Sequence, residues 1–209
     1  MATQGEGEFL TQPAAIGEPH IDTRIVILGD DDRPVPRGMP GQIVMRNFNT
    51  ALGYHKDPAA AAVTWRPRRG DPEGLHWCFT GDIGVMDEDG RLTLVDRSKD
   101  VIKSGGESVP SVEVETVYAG HPELRELAVI GVEDDKWGEA VMLVAVPNSG
   151  KTDPEDIAAS LFSFGRANMA AYKVPKKIAF IESLPRSHFG KVLKRDLREA
   201  VFDRIFEPT

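Results

Sequence analysis

Residues 95–108 read VDRSKDVIKSGGES, and the chain changes character across them. Upstream, residues 21–95 run through TRIVIL, GDDDRPVPRGMPG, QIVMR, HWCFTGDIGVM, DEDG and RLTLVD. This period-two alternation between Gly and Asp clusters predicts antiparallel strands. One interruption, KDPAAAAVTW at 56–65, predicts a helical turn or two, with Asp57 as cap and Pro58 at the first helical position. Downstream the pattern is mixed. SVEVETVYAGHP predicts a helix from Pro110 or Ser111 to Gly120, and LRELAVIGVED and EAVMLVAVP read as apolar strands. DPEDIAASLFSFGRANM reads as a capped amphipathic helix and KKIAFIESLP as a strand. In KVLKRDLREAVFDRIF, Leu193, Leu197, Val201 and Ile205 recur every four residues and predict a terminal helix. The expected fold class is therefore α+β: a β-rich, distorted barrel-like segment over residues 1–96, then a small α+β domain over 97–209 with helices on a short sheet.

Composition narrows the function. Of 209 residues, 41% are hydrophobic and 28% charged, as in a globular protein, and no apolar run approaches the roughly 20 residues that span a bilayer. A net charge of −8 argues against holding nucleic acid through its phosphates, although the basic residues between 173 and 198 suit a small, locally bound anion. Cys78 is the single cysteine, so no internal disulfide forms, and Met1 is followed by acidic and polar residues rather than a secretion signal. Both features lead to the expectation of a cytoplasmic protein.

Several motifs invite chemistry. PRSHFGKVLKRDL at 185–197 sets a lysine directly after a glycine, before a basic helix; Lys191 there reads as a solvated surface charge, a phosphate ligand or a catalytic cation. In GDIGVMDEDGRL, Asp82 follows Thr80 and Gly81 at a turn, where a carboxylate accepts hydrogen bonds from a diol such as ribose, or merely bonds its own backbone. Arg97, Lys99 and Lys103 place three cations within seven residues, beside the permissive backbone of Gly105 and Gly106. They read as an anion site or as a solvated basic turn. VAVPNSGKT at 144–152 is no phosphate-binding P-loop, because Ala145 stands where the pattern needs glycine and Pro147 stiffens the turn. RGD at 69–71 is a chance tripeptide. The histidines at 20, 55, 76, 121 and 188 have no zinc spacing, and no nucleophile elbow is present.

Taken in order, GQIVMR, ALGYHKDPAA, FTGDIGVMDEDGRL, VDRSKDVIKSGGESVPSVEVE, AVIGVEDDKWGEAVMLVAV and LPRSHFGKVLKRDLR resemble the motifs of adenylate-forming, AMP-binding enzymes. Over residues 17–198 the chain resembles the carboxyl-terminal part of an acyl-CoA synthetase. The resemblance implies that Asp82 binds the ribose hydroxyls of ATP or of an acyl-adenylate, with Arg97 assisting. It implies that Lys99 is the hinge about which the small domain swings between half-reactions. Lys103, Ser104, Gly105, Gly106 and Glu107 would line the pantetheine tunnel for CoA, and Lys191 would bridge the carboxylate and the α-phosphate during adenylation. Glu6, in TQGEGEF, matches a motif whose acidic residue helps hold Mg²⁺.

A complete synthetase of this kind resembles a chain more than twice as long, with a Ser/Thr/Gly-rich loop for the ATP phosphates and a large acyl pocket. Neither lies within these residues. The expectation is thus part of an ATP-dependent carboxylic acid–CoA ligase for a fatty or other acyl acid, inactive alone, whose partner is the amino-terminal part of the same synthetase. Apolar surface normally covered by that part leads to an expectation of self-association, including a homo-oligomer. His188 and Phe189 replace the small residues usual before the Gly-Lys pair, and Gln42 stands where an acid is frequent. Two other readings stay open: the adenylation unit of a peptide synthetase, and a non-catalytic remnant that binds nucleotide, CoA or a partner chain.

Overall fold

A computed structural model describes residues 2–3, 15–51, 53–148 and 153–208. It divides the chain into two compact units, Met1–Ser98 and Lys99–Thr209. The first is a curled seven-stranded antiparallel sheet built from β1 (Ala2–Thr3), β2 (Ala15–Pro19), β3 (Arg24–Leu28), β4 (Pro40–Arg46), β5 (Trp65–Pro67), β6 (His76–Met86) and β7 (Leu92–Arg97). The order is β1-β2-β7-β6-β4-β3, with β5 added to β6. Alternation does the sorting. Ile27, Ile43, Met86 and Leu92 gather in one buried cluster, while Leu28, Val44, Trp77 and Phe79 form a second. Helix α1 (Pro58–Thr64) starts where the sequence places it: Asp57 accepts a hydrogen bond from the Ala60 N–H at 3.0 Å, and Pro58 opens the helix. Ile21, Met39, Phe48, Tyr54 and Val63 remain exposed on this unit.

The second unit is a six-stranded sheet with helices. Its strands are β8 (Val101–Ser104), β9 (Glu107–Pro110), β10 (Leu124–Asp134), β11 (Gly138–Pro147), β12 (Lys177–Phe180) and β13 (Ile205–Phe206). Its helices are α2 (Ser111–Tyr118), α3 (Pro154–Asn168) and α4 (Lys194–Glu199). β11 lies between antiparallel β10 and parallel β12, and both of its faces are covered. Val141, Leu143 and Ala145 face Tyr118, Ile157, Leu161 and Phe162 from the helices. Met142, Val144 and Val146 meet Ala128, Ile130, Leu184 and Leu197. That double burial explains a continuous apolar run in place of an alternating one.

Helices α2 and α3 meet at a tight point. Tyr118 is fully buried and its Oη donates to the Leu161 carbonyl at 3.0 Å, directly over Gly165. A Cβ built on Gly165 would lie 2.2 Å from that hydroxyl. Burial also pushes the Tyr118 phenol far above its ordinary range.

The expected terminal helix is corrected. It stops at Glu199, Ala200 is extended (φ −71, ψ 142), Val201 is 96% exposed, and Ile205–Phe206 pairs with Ile178 and Ala179 of β12. A four-residue apolar spacing was satisfied by one buried residue, Leu197. The open edge of β12 supplies backbone hydrogen bonds, and the Phe206 ring stands 5.4 Å from that of Phe180. Only the folded sheet presents that edge.

β10 would expose its other edge, and α2 and α4 blunt it. The Glu115 carboxylate accepts the Val129 N–H at 2.9 Å and pairs with Lys194 Nζ at 2.7 Å; that ammonium also donates to Ser111 Oγ at 2.7 Å. Side chains of Lys194 and Glu115 are only 16% and 24% exposed.

Two substitutions test this packing by urea unfolding. Gly165→Ala should cost about 1–3 kcal/mol, because the Tyr118 ring has no free space to retreat into. Lys194→Met should cost about 1–2 kcal/mol, between the values for exposed and buried pairs, since it strands the Glu115 carboxylate. An unchanged midpoint in either variant would contradict the contacts described.

Candidate functional site

Asp82 and Arg97 face each other across β6 and β7 as register partners, with Arg97 Nε 3.1 Å from Asp82 Oδ1. β6 shifts register against β4 between Phe79 and Ile83, and against β7 between Ile83 and Gly84. The Thr80 hydroxyl accepts the Asp82 N–H at 3.1 Å and donates to the Ile43 carbonyl at 2.9 Å. Asp82 is thereby held at an irregular point of the strand. A carboxylate set beside a guanidinium can accept hydrogen bonds from a vicinal diol.

The other predicted residues belong to the second unit. Lys99 sits in a single 3₁₀ turn, Ser98–Asp100, immediately before β8. Its carbonyl accepts from Arg198 Nη2 at 3.2 Å, and the same nitrogen lies 2.8 Å from Asp100 Oδ1. Lys103, Ser104, Gly105, Gly106 and Glu107 form the β8–β9 turn. Lys103 Nζ donates to Ser108 Oγ at 2.8 Å, and its N–H donates to Glu139 Oε2 at 2.7 Å. The Ser104 hydroxyl is buried and has no hydrogen-bond partner among the described residues. Gly105 must be glycine twice over. Its φ is +60, and a Cβ would stand 2.9 Å from the Trp137 ring, whose backbone carbonyl accepts the Gly105 N–H at 2.9 Å. Trp137 in turn lies beneath two ammonium groups, Lys136 at 4.8 Å and Lys176 at 5.4 Å from the ring centroid. Burial, and next the charge of Lys136, push the Lys176 ammonium below the usual lysine range.

Lys191 lies at the end of a stitched turn. Ser187 N–H donates to the Lys191 carbonyl and Gly190 N–H to the Ser187 carbonyl, both at 2.8 Å, and Gly190 takes φ +81. That left-handed residue lets the chain reverse before the lysine. The Lys191 side chain is exposed, and among the described residues no carboxylate pairs with its ammonium. It borders a surface pocket of about 340 Å³ that Lys99, Asp100, Lys194, Arg195 and Arg198 also line. Lys194, Arg195 and Arg198 are already paired with Glu115, Asp196 and Asp100, so the charge on offer in this pocket comes from Lys191 and Lys99. Such a pocket suits an anion.

The structure thus brings Lys99 and Lys191 to one pocket and Asp82 and Arg97 to one contact, whereas residues 103–107 lie outside the lining of that pocket. Glu6 lies outside the described residues, and among those described no group of three His, Cys, Asp or Glu side chains is placed to hold a metal ion. Among them, too, no helix is long and apolar enough to cross a membrane. Trp137, Glu139, Lys194 and Arg198, which support these residues, were not picked out by sequence reasoning. Their positions beside the motifs, in KWGE and in KVLKRDLR, were the available signal.

Residues 113–191 match the AMP-binding enzyme C-terminal domain. The chain is 39% identical over 191 residues to a long-chain-fatty-acid–CoA ligase of Escherichia coli O6:H1, covering 91% of this chain and 32% of that protein. It is 37% identical over 201 residues to a 2-succinylbenzoate–CoA ligase of Geobacillus kaustophilus, covering 96% of this chain and 39% of that one. Among solved structures, the o-succinylbenzoate CoA synthetase of Bacillus subtilis, in complex with its acyl-adenylate intermediate, superposes with a TM-score of 0.79 at 28% identity. That match covers 96% of this chain and 39% of the synthetase. The chain therefore spans about a third of the length of the relatives it matches. With the ordered motifs, the domain match and the shared fold in agreement, the chain belongs to the adenylate-forming, AMP-binding enzyme superfamily of the acyl-CoA synthetases, and carries its C-terminal domain.

Proposed function

We propose that this chain supplies the mobile catalytic lysine of an ATP-dependent carboxylic acid–CoA ligase, acting through an acyl-adenylate and then a thioester. The observation that supports this most is the Lys191 ammonium, without a carboxylate partner among the described residues, on a glycine turn beside a basic pocket. Attack of a carboxylate on the α-phosphate brings two anions together. A lysine between them offsets the repulsion and stabilises charge that builds in the transition state, and the effect is large where water is excluded. Lysine suits the task as a compact charge on a flexible stem.

In this reading Asp82 accepts hydrogen bonds from the ribose hydroxyls, with Arg97 beside the carboxylate. Lys99, at the start of the second unit, is the pivot about which Lys191 is delivered for adenylation and withdrawn for thioester formation. Residues 103–107 then line the path of the CoA pantetheine arm, where the glycines permit close approach of the backbone. When bound, Mg²⁺ would neutralise phosphate charge; Glu6 remains the residue proposed to help hold it. The relatives act, by their names, on long-chain fatty acids and on 2-succinylbenzoate, so the shared chemistry is the carboxylate rather than the acyl chain.

A hybrid enzyme tests the reading. This chain replaces the matching third of the Geobacillus kaustophilus ligase, and pyrophosphate release is followed with 2-succinylbenzoate and ATP. Turnover is expected, and Lys191→Ala should lower it by about 10²–10³-fold, the usual cost of losing one transition-state charge contact. Thioester formation from preformed acyl-adenylate should persist in the same variant. A hybrid that folds and binds AMP yet releases no pyrophosphate would favour a non-catalytic binding module instead.

A further inference from the structure

We propose that Arg186, held by Glu126, is a positioning residue for Lys191: its guanidinium fixes the peptide from which the ammonium is presented. The proposal rests on the role given to Lys191 above.

Arg186 uses two nitrogens on two acceptors. Nη1 donates to the carbonyl of Gly190 at 2.7 Å, and Nη2 donates to Glu126 Oε2 at 2.5 Å. The Gly190 carbonyl belongs to the peptide whose N–H is that of Lys191, and this N–H donates to Ser187 Oγ at 3.2 Å. Both polar ends of the 190–191 peptide are therefore tied, and the direction in which Lys191 leaves the backbone follows from its plane. A β-bridge between Arg186 and Val192, and the Leu193 N–H donating to the Pro185 carbonyl at 2.8 Å, close the turn behind it.

Glu126 gives the clamp its fixed end. It lies on β10 opposite Val146 of β11, two residues before the fully buried stretch that begins at Ala128. Arg125 Nε lies 3.9 Å from its other oxygen, and Arg125 Nη2 donates to the Glu182 carbonyl at 2.9 Å, so this end of β10 holds the segment before the turn as well. The Lys191 loop is thereby referred to the rigid sheet.

Two features distinguish positioning from support of the fold. Arg186 and Glu126 side chains are 45% and 30% exposed, so the pair contributes little to stability, and its loss should leave the sheet intact. An arginine is also required. Two separate nitrogens of a planar fork meet the carbonyl and the carboxylate, whereas a lysine offers a single nitrogen that would have to lie within hydrogen-bond reach of both. Lysine stems are flexible, and a displacement of about 1 Å at a catalytic group is enough to cost about 10²-fold in rate.

The experiment combines two measurements on Arg186→Ala, Arg186→Lys and Glu126→Gln. Hydrogen exchange of the 209-residue chain should accelerate about tenfold or more at the Gly190 and Lys191 amides of Arg186→Ala, with the amides of β11 unchanged. Unchanged exchange at those two amides overturns the clamp. In the hybrid ligase, Arg186→Ala should lower adenylation about 10²-fold while thioester formation from preformed acyl-adenylate stays within about twofold, a split that a merely structural defect would not produce. Arg186→Lys should not restore the rate, and Glu126→Gln should fall between. If Lys191→Ala abolishes adenylation and Arg186→Ala does not, the positioning role is wrong and the role of Lys191 stands. If Lys191→Ala itself adenylates normally, both fall.

Discussion

Burial of one strand on both faces is the constraint from which the second unit is built. Residues 141–146 of β11 alternate between a helical layer and a second apolar layer, all of them essentially inaccessible to water. A strand in that position cannot be moved without exposing both cores, at a cost set by the apolar area removed from water. It therefore serves as the fixed frame for everything around it. β10 and β12 pair with it directly, β8 joins at Gly138 beside Ser104, and the segment from Leu184 to Leu197 packs its apolar ends into the second layer.

On that frame the charged residues fall into two kinds. Lys194, Arg198 and Lys177 are spent on carboxylates: Glu115, Asp100 and Asp134. The first two tie helix α4 to other elements, which helps the six-residue helix persist without a side-chain cap. Lys191 is of the other kind. It borders one pocket with Lys194 and Arg198, whose charges, already neutralised, do not compete for an incoming anion. A site of this sort separates the groups that build from the group that acts.

The two units differ in how readable they were. Strong alternation in TRIVIL and RLTLVD, and turn chemistry in DEDG and in Asp57-Pro58, placed β3, β4, β6, β7 and the helix of the first unit, because local spacing there coincides with the face each residue buries, but not the short β1, β2 and β5. The same kind of spacing misled at the end of the chain, where Leu193, Leu197, Val201 and Ile205 share a helical period. Val201 has nothing to pack against, and the edge of β12 captures Ile205 and Phe206 instead. Pairing with a strand some 27 residues upstream leaves no mark in a local window.

By itself the sequence determined the class of fold, the change of character near Lys99, the glycine turns at 105–106 and 190, and the identities of the charged residues that suit nucleotide chemistry. These are properties of local pattern and of residue type. Tertiary structure alone decided which cations are neutralised and which remain available, that Trp137 closes over Gly105, that Asp82 meets Arg97 in register, and that Arg186 reaches both Gly190 and Glu126. The physical reason is range: backbone preference acts over a few residues, while electrostatic pairing and close packing depend on side chains that the fold brings together from 60 residues apart.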